Sequence, residues 1–276
     1  MIVCIKLTFS YWFVKGATLM IKAIFFDVDG TLMSHKQKDV PKSTRDSLLQ
    51  LNKKGIKVVI ATGRHISELL ELPVKDIQFD GYLTLNGQLL LDKARHAYAG
   101  TPIDRGEMEV LAQAFKSKHI PFKFIDENGI YINYLNDTVI DTQTSTQGAI
   151  PDIGNYGGGQ IYQIVAFVTE DQKKILSTIL DECKVTSWNE TGIDIIPKQG
   201  GKSVGIQKYL DEEGLDRSEI MAFGDGDNDM EMLKFAGIGV AMGNANDNVK
   251  SVADYVTDSV DEDGIYKALK HFNLVD

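Results

Sequence analysis

Residues 22–34 read Lys22-Ala-Ile-Phe-Phe-Asp27-Val-Asp29-Gly30-Thr31-Leu-Met-Ser34. Positions 22–26 have the apolar character of a short buried strand, and the polar loop over 27–34 ends it. Working outward, Pro41 and Ser43 open an amphipathic helix that carries Leu48, Leu49 and Leu51 and closes at Gly55. A second buried strand is expected over 56–61 (IKVVIA), followed by Thr62-Gly63-Arg64 and another helix, and a third strand over 81–85. Strands alternating with helices at such short spacings indicate βαβ units and a parallel sheet.

The pattern changes after Asn86-Gly87. Antiparallel strands are expected over 88–99, a helix over 107–118, and strands over 121–125 and 129–134 with Asn128-Gly129 as a hairpin signal. A similar strand–helix–strand–strand order recurs over 160–168, 171–183, 185–188 and 193–196. The loop-rich stretch 142–159 divides the two copies. From Gly200 the α/β rhythm returns, with helices over 203–213, 228–235 and 264–271 and strands over 219–223, 237–241 and 255–256. The chain therefore reads as one α/β domain, 20–84 with 197–276, interrupted by an inserted α+β domain over 85–196.

The 276 residues carry 39 acids against 29 Lys plus Arg, a formal net charge of −10. Affinity for nucleic-acid phosphates comes from clustered Lys and Arg, so this balance argues against nucleic-acid partners and anionic membrane surfaces. A small phosphorylated substrate is still allowed if a metal ion reverses the local sign. The two cysteines, Cys4 and Cys183, leave no room for a disulfide framework and suggest a reducing, cytoplasmic setting. The apolar run 7–14 is far short of the ~20 residues that span a bilayer and has no convincing cleavage site. Residues 1–19 are read as an upstream extension, with Met20 as the biological start.

Four polar clusters fall where parallel sheets gather ligands, beyond the carboxyl ends of strands. They are Asp27-Val28-Asp29-Gly30-Thr31, Thr62-Gly63-Arg64, Lys202, and the run Gly224-Asp225-Gly226-Asp227-Asn228-Asp229. Any one alone is ordinary turn or cap chemistry; the ordered set is not. FFDVDGTL, ATGR, GGKS and GDGDNDMEML resemble the four motifs of the haloacid dehalogenase superfamily of phosphohydrolases. The insertion resembles the type C2 cap of its Cof-like branch (C2B, subfamily IIB), as do LNG at 85–87 and GVAMGNA at 239–245. The resemblance covers Met20 to the C-terminus. It implies a Rossmann-like three-layer core with a parallel sheet, and a duplicated βαββ cap.

A phosphate ester is anionic, so a carboxylate attacks it only where metal and hydrogen-bond donors neutralise the charge. On this reading Asp27 is the nucleophile that forms an aspartyl-phosphate, and Asp29 protonates the leaving oxygen and then activates water. Thr62, with Gly63, binds the phosphoryl group, and Lys202 supplies a fixed positive charge. The expected Mg²⁺ ligands are Asp27, Asp225, the backbone carbonyl of Asp29, and Asp229 directly or through water. The resemblance also implies that Asn228 touches phosphate and that Arg64 and Asn86 lie near the leaving group. Asp227 is left out, as a helix cap.

Other motifs fail. Gly201-Lys202-Ser203 lacks the first P-loop glycine, because Ile196 stands there. The run from Asp225 has Met230 and Ala236 where an EF-hand needs Gly and Glu. The sequons at Asn136 and Asn189 mean nothing without secretion. The expected activity is hydrolysis of small phosphorylated metabolites, with a sugar phosphomutase or a receiver-type phospho-switch as the rival readings. The substrate and the oligomeric state are not specified by these residues.

Overall fold

The computed structural model describes residues 20–145, 148–187 and 190–276. The expectations for residues 1–19, Trp188 and Asn189 lie outside the described residues. The first part of the chain runs β1 (Ala23–Phe26), α1 (Lys42–Lys53), β2 (Lys57–Ala61), α2 (Ile66–Leu69), β3 (Gly81–Thr84), β4 (Leu89–Asp92) and β5 (Ala97–Gly100). The middle part holds α3 (Arg105–Ser117), β6 (Phe122–Ile125), β7 (Ile130–Ile132), α4 (Asp137–Ser145) and β8 (Asp152–Ile153). It continues with β9 (Gln163–Phe167), α5 (Glu170–Ile179), β10 (Cys183–Ser187) and β11 (Gly192–Pro197). The last part is α6 (Lys202–Glu213), β12 (Ile220–Gly224), α7 (Met230–Phe235), β13 (Ile238–Ala241), α8 (Asp247–Val252), β14 (Tyr255–Val256) and α9 (Gly264–His271).

β1 is buried on both faces because helices cover both. Ile24 and Phe26 pack in one cluster with Leu48 and Leu51 of α1 and Leu269 of α9. Ala23 and Phe25 pack in the other with Ile206 and Leu210 of α6 and Leu233 of α7. This is the expected three-layer α/β core. Its sheet has the order β14-β13-β12-β1-β2-β3-β4-β5, parallel from β14 through β3.

The hairpin β4–β5 corrects the expected domain limit at residue 85. It runs antiparallel to β3 and completes the large sheet instead of opening the insertion. The reason is visible in Leu89-Leu90-Leu91: Leu89 and Leu91 enter one apolar cluster and Leu90 the other, so β4 is covered on both faces. The second sheet, β10-β11-β9-β6-β7-β8, therefore begins only at Phe122. The repeat comes out as helix–strand–strand, α3–β6–β7 and α5–β10–β11, with β9 between β6 and β11. Met108, Leu111 and Phe115 of α3 and Leu176 of α5 cover one face of this sheet.

Two helices differ from expectation. α4 begins in the unassigned residues before the stretch read as loop and runs into it as far as Ser145, with the Asn136 side chain accepting from the Val139 N–H at 3.0 Å. Its Thr and Val content has low helix propensity, so capping and the buried Val139 hold it. α8 was not expected; it starts where Asn246 accepts from the Val249 N–H at 3.0 Å.

Candidate active site

Phe26 is in register with Ile60 of β2 and Phe223 of β12, so these strands deliver Asp27, Thr62 and Asp225 to one edge of the sheet. The ladder continues one step past β1, where the Asp27 N–H donates to the Phe223 carbonyl at 3.0 Å. Gly30, at φ +82°, turns the chain, and a Cβ there would lie 2.2 Å from an Asp225 carboxylate oxygen. Only glycine lets the two loops approach this closely.

Lys202, the first residue of α6, is buried and forms the centre of the cluster. Its Nζ donates to Asp27 Oδ1 at 2.6 Å and to Asp229 Oδ1 at 2.5 Å. Burial alone would depress the ammonium, but Asp229 and Asp27 more than offset it and raise the Lys202 pKa. Asp229 also accepts from the N–H groups of Asp225 and Gly226 at 2.9 Å each. Burial pushes the Asp27 carboxyl well up; Lys202 opposes this, and Asp229 and Asp225 add to it. Asp225 is pushed up to about 6, chiefly by burial, against the hydroxyl of Thr31.

One ammonium cannot balance three crowded carboxylates. One oxygen each from Asp27, Asp225 and Asp229 lies within 4.8 Å of the others. An all-oxygen, net-negative set of this kind fits a hard divalent cation. Thr31 Oγ1 donates to Asp225 at 2.8 Å, and Asn244 Nδ2 donates to Asp225 at 3.0 Å and to the Gly30 carbonyl at 2.9 Å. Sequence reasoning missed Thr31 and Asn244 as groups that orient Asp225. Both lie inside quoted motif stretches, which was the available signal.

Asp29 stands apart from this cluster. Arg64 grips it in a bidentate pair, Nε to Oδ2 at 2.6 Å and a terminal nitrogen to Oδ1 at 2.9 Å. Arg64 was expected near a leaving group; in this structure its guanidinium is committed to Asp29. Thr62 is buried, and its hydroxyl accepts from the Arg64 N–H at 3.2 Å. Asn86 is buried and left-handed at φ +57°, and its side chain spans two partners. Its Oδ1 accepts from Asn228 at 3.0 Å, and its Nδ2 donates to Gln163 of β9 at 3.3 Å. A Cβ on Gly63 would meet Asn86 Oδ1 at 3.2 Å, so Gly63 completes this second group. Asp227 accepts from Asn246 at 2.9 Å and stays outside both groups.

A cleft of about 710 Å³ beside α3, bounded by Arg105, Tyr156 and Gln160, shares no residue with these groups. Chemistry, not cavity size, marks the site.

Residues 24–269 match the family model of haloacid dehalogenase-like hydrolases. The chain is 29% identical to the 5-amino-6-(5-phospho-D-ribitylamino)uracil phosphatase YitU of Bacillus subtilis, over 90% of this chain and 96% of that one. It is similar to the solved phosphatase BT1666 of Bacteroides thetaiotaomicron, with TM-score 0.86, 33% identity, and coverage of 96% of this chain and 100% of the other. For the subclass IIB sugar phosphatase BT4131 the values are TM-score 0.80, 34% identity, and coverage of 92% and 100%. With the sheet order, the acidic cluster and these relatives in agreement, the chain belongs to the haloacid dehalogenase superfamily, as a Cof-like hydrolase of phosphoric monoesters.

Proposed function

We propose that the protein is a Mg²⁺-dependent phosphatase of small phosphorylated metabolites that works through an aspartyl-phosphate on Asp27. The observation that carries this reading is the separation of two carboxylate environments. Asp27 sits in a buried set with Asp225, Asp229 and Lys202, whereas Asp29, two residues on, is outside that set and held by Arg64. Mg²⁺ bound by Asp27, Asp225, Asp229 and the Asp29 carbonyl would supply positive charge to the transferring phosphoryl group.

The chain's own groups do the rest. Asp27 attacks phosphorus, fixed in place by the ladder bond at its N–H and by Lys202. Lys202, Thr62 with Gly63, and Asn228 bind phosphoryl oxygens and compensate developing charge. Asp29 acts as the acid once it has left the Arg64 pair and taken a proton from solvent. It then gives that proton to the leaving oxygen, and the resulting carboxylate takes one from the water that cleaves the intermediate. Arg64 steers Asp29, and Asn86 aims Asn228. Such contacts across the mouth of the site let the inserted unit act as a cap that excludes bulk water.

Relatives named for a ribitylaminouracil phosphate and for sugar phosphates support a small phosphorylated substrate. Among the described residues no helix is long and apolar enough to cross a membrane. Burial pushes the Cys183 thiol up to about 12, as for an unreactive structural cysteine. Asp27→Asn should abolish Mg²⁺-dependent phosphate release with the fold intact by circular dichroism. Retained turnover would refute the assignment.

A further inference from the structure

His65 is buried, and its ring nitrogen Nε2 has no hydrogen-bond partner among the described residues. The other ring nitrogen is accounted for. From its place just before α2, His65 accepts the Ser67 N–H at Nδ1 at 3.2 Å, with the Ser67 hydroxyl 2.8 Å away. Glu68 completes this capping box by accepting the His65 N–H at 2.9 Å. A backbone N–H can only donate, so Nδ1 carries no proton and the proton of the neutral ring sits on Nε2. Burial holds the imidazole below its ordinary 6.5, against the Glu127 carbonyl and the charges of Glu68 and Asp126, so the ring is neutral near pH 7. The result is a donor closed to water that makes no hydrogen bond. Such a group costs free energy unless some state of the protein gives it an acceptor.

The acceptor beside it belongs to the inserted unit. The Glu127 carbonyl lies next to the ring but outside hydrogen-bonding geometry, and among the described residues no backbone N–H donates to it. Glu127 sits in the turn between β6 and β7, whose shape is fixed by its own bonds. Asp126 accepts from the N–H groups of Asn128 at 2.7 Å and Gly129 at 3.0 Å, and its own N–H donates to the Gly129 carbonyl at 3.1 Å. On the flanking strands, Ile125 and Ile132 enter the same apolar cluster as Leu69 of α2. Donor and acceptor are thus each held in place within their own unit, and a small approach of the hairpin to α2 would join them.

We infer that His65 is a positioning residue for the cap: its Nε2–H donates to the Glu127 carbonyl when the hairpin β6–β7 closes on the core, and this bond sets the closed position. The inference rests on the phosphatase reading above for what closure does, and not for the contact itself. With the insertion open, water satisfies both groups; with it closed, this bond does. A dry and unpaired arrangement is disfavoured relative to either. His65 directly follows Arg64, so the contact ends on the segment that holds Asp29.

Two variants separate the bond from the helix cap. His65→Asn keeps an oxygen for the Ser67 N–H, and Asn caps helices well, but its side chain ends short of Glu127. His65→Gln caps poorly, yet its amide nitrogen reaches the place of Nε2. Hydrogen–deuterium exchange of residues 126–129, urea midpoints and Mg²⁺-dependent hydrolysis of p-nitrophenyl phosphate are compared with wild type. His65→Asn should keep its urea midpoint, exchange its hairpin faster and lose about three- to tenfold in kcat/KM, the worth of one neutral hydrogen bond. His65→Gln should stay within about twofold of wild type in kcat/KM despite a lower urea midpoint. A histidine that only caps α2 gives the opposite order, with the Asn variant the more active, and that result would overturn the inference. Unchanged hairpin exchange in His65→Asn overturns the contact, and faster exchange with kcat/KM within about twofold of wild type overturns its part in turnover. If the variants fold poorly, nitrogen NMR of the wild-type ring decides. The Nε2 proton should move downfield once Mg²⁺ and orthovanadate inhibit the enzyme, and no movement would overturn the bond. A wild type that releases no phosphate from the aryl ester overturns the phosphatase reading, and the exchange comparison still decides the contact.

Discussion

A carboxyl group that titrates at about 6 in the folded chain and near its ordinary 3.8 when unfolded makes stability depend on pH. For Asp194 the sign follows from the raised value. Below about pH 4 it is protonated in both states and its effect on folding is favourable. As pH rises through 6 the fold must ionise a desolvated group, and that stability is lost. Asp194→Asn removes the slope, so the variant should unfold at higher urea than wild type near neutral pH, with the gap closing toward about pH 4. The midpoints of urea titrations across that range measure it. Residue roles were unevenly legible. The placement of Asp27, Asp225 and Asp229 in one cluster was readable because their motifs follow β1 and β12, and that of Lys202 because its motif opens α6. The Arg64 grip on Asp29, the Asn244 bond to Gly30 and the Gln163 reach to Asn86 were not. Each joins positions far apart in sequence through a side-chain conformation that periodicity does not encode.

At the scale of elements, a turn of left-handed residues packs against the helix start that carries Lys202. Leu85, Asn86 and Gly87 are consecutively left-handed, at φ +53°, +57° and +81°, and this turn sits on the start of α6. A Cβ on Gly87 would come within 2.6 Å of the Gly201 carbonyl and 3.0 Å of Lys202 Cα. Gly214, at φ +63°, caps the far end of the same helix with nothing within 4 Å. Gly214→Ala should cost about 1 kcal/mol, the strain of a left-handed alanine. Gly87→Ala adds a backbone collision, so it should cost more and also lower kcat by displacing Lys202. Urea midpoints and kcat measured on the two variants separate these effects; equal stability losses with unchanged kcat would refute the argument. Strands such as β1, β2 and β12 were legible because burial on both faces writes a continuous apolar run. The hairpin β4–β5 carries the same signal in Leu89-Leu90-Leu91 but follows a turn that looked like a domain limit. α4 was hidden by Thr and Val that disfavour a helix until tertiary contacts pay for it.

On the scale of the molecule, the chain crosses between the two sheets twice, after Gly100 and again after Pro197, and Gln88 touches both crossings. Its carbonyl accepts from the Thr101 N–H at 2.7 Å on one strand of the crossing. On the other, a Cβ on Gly200 would fall within 2.2 Å of its amide oxygen. Gln88 is fully buried and its amide nitrogen donates to the Asn86 carbonyl at 3.4 Å. The two crossings and the turn that carries Asn86 therefore meet at one side chain. If the crossings shift, these contacts would carry the shift through Gln88 to the turn whose Asn86 side chain lies between Asn228 and Gln163. Gly200 is the place to test this coupling, because its substitution adds no group to the site and no left-handed strain, only a collision with Gln88. Hinge changes alter kcat and KM together. Gly200→Ala should shift both by about three- to tenfold, the range expected when a gating step is perturbed and not the chemistry. The Lys184–Glu231 pair spans the same gap but is largely exposed, at 36% and 58%, so Glu231→Gln should change kcat/KM far less. Steady-state kinetics on the two variants decide the matter. Equal effects would mean that the cap is held by its surface charges, and that Gln88 is only packing.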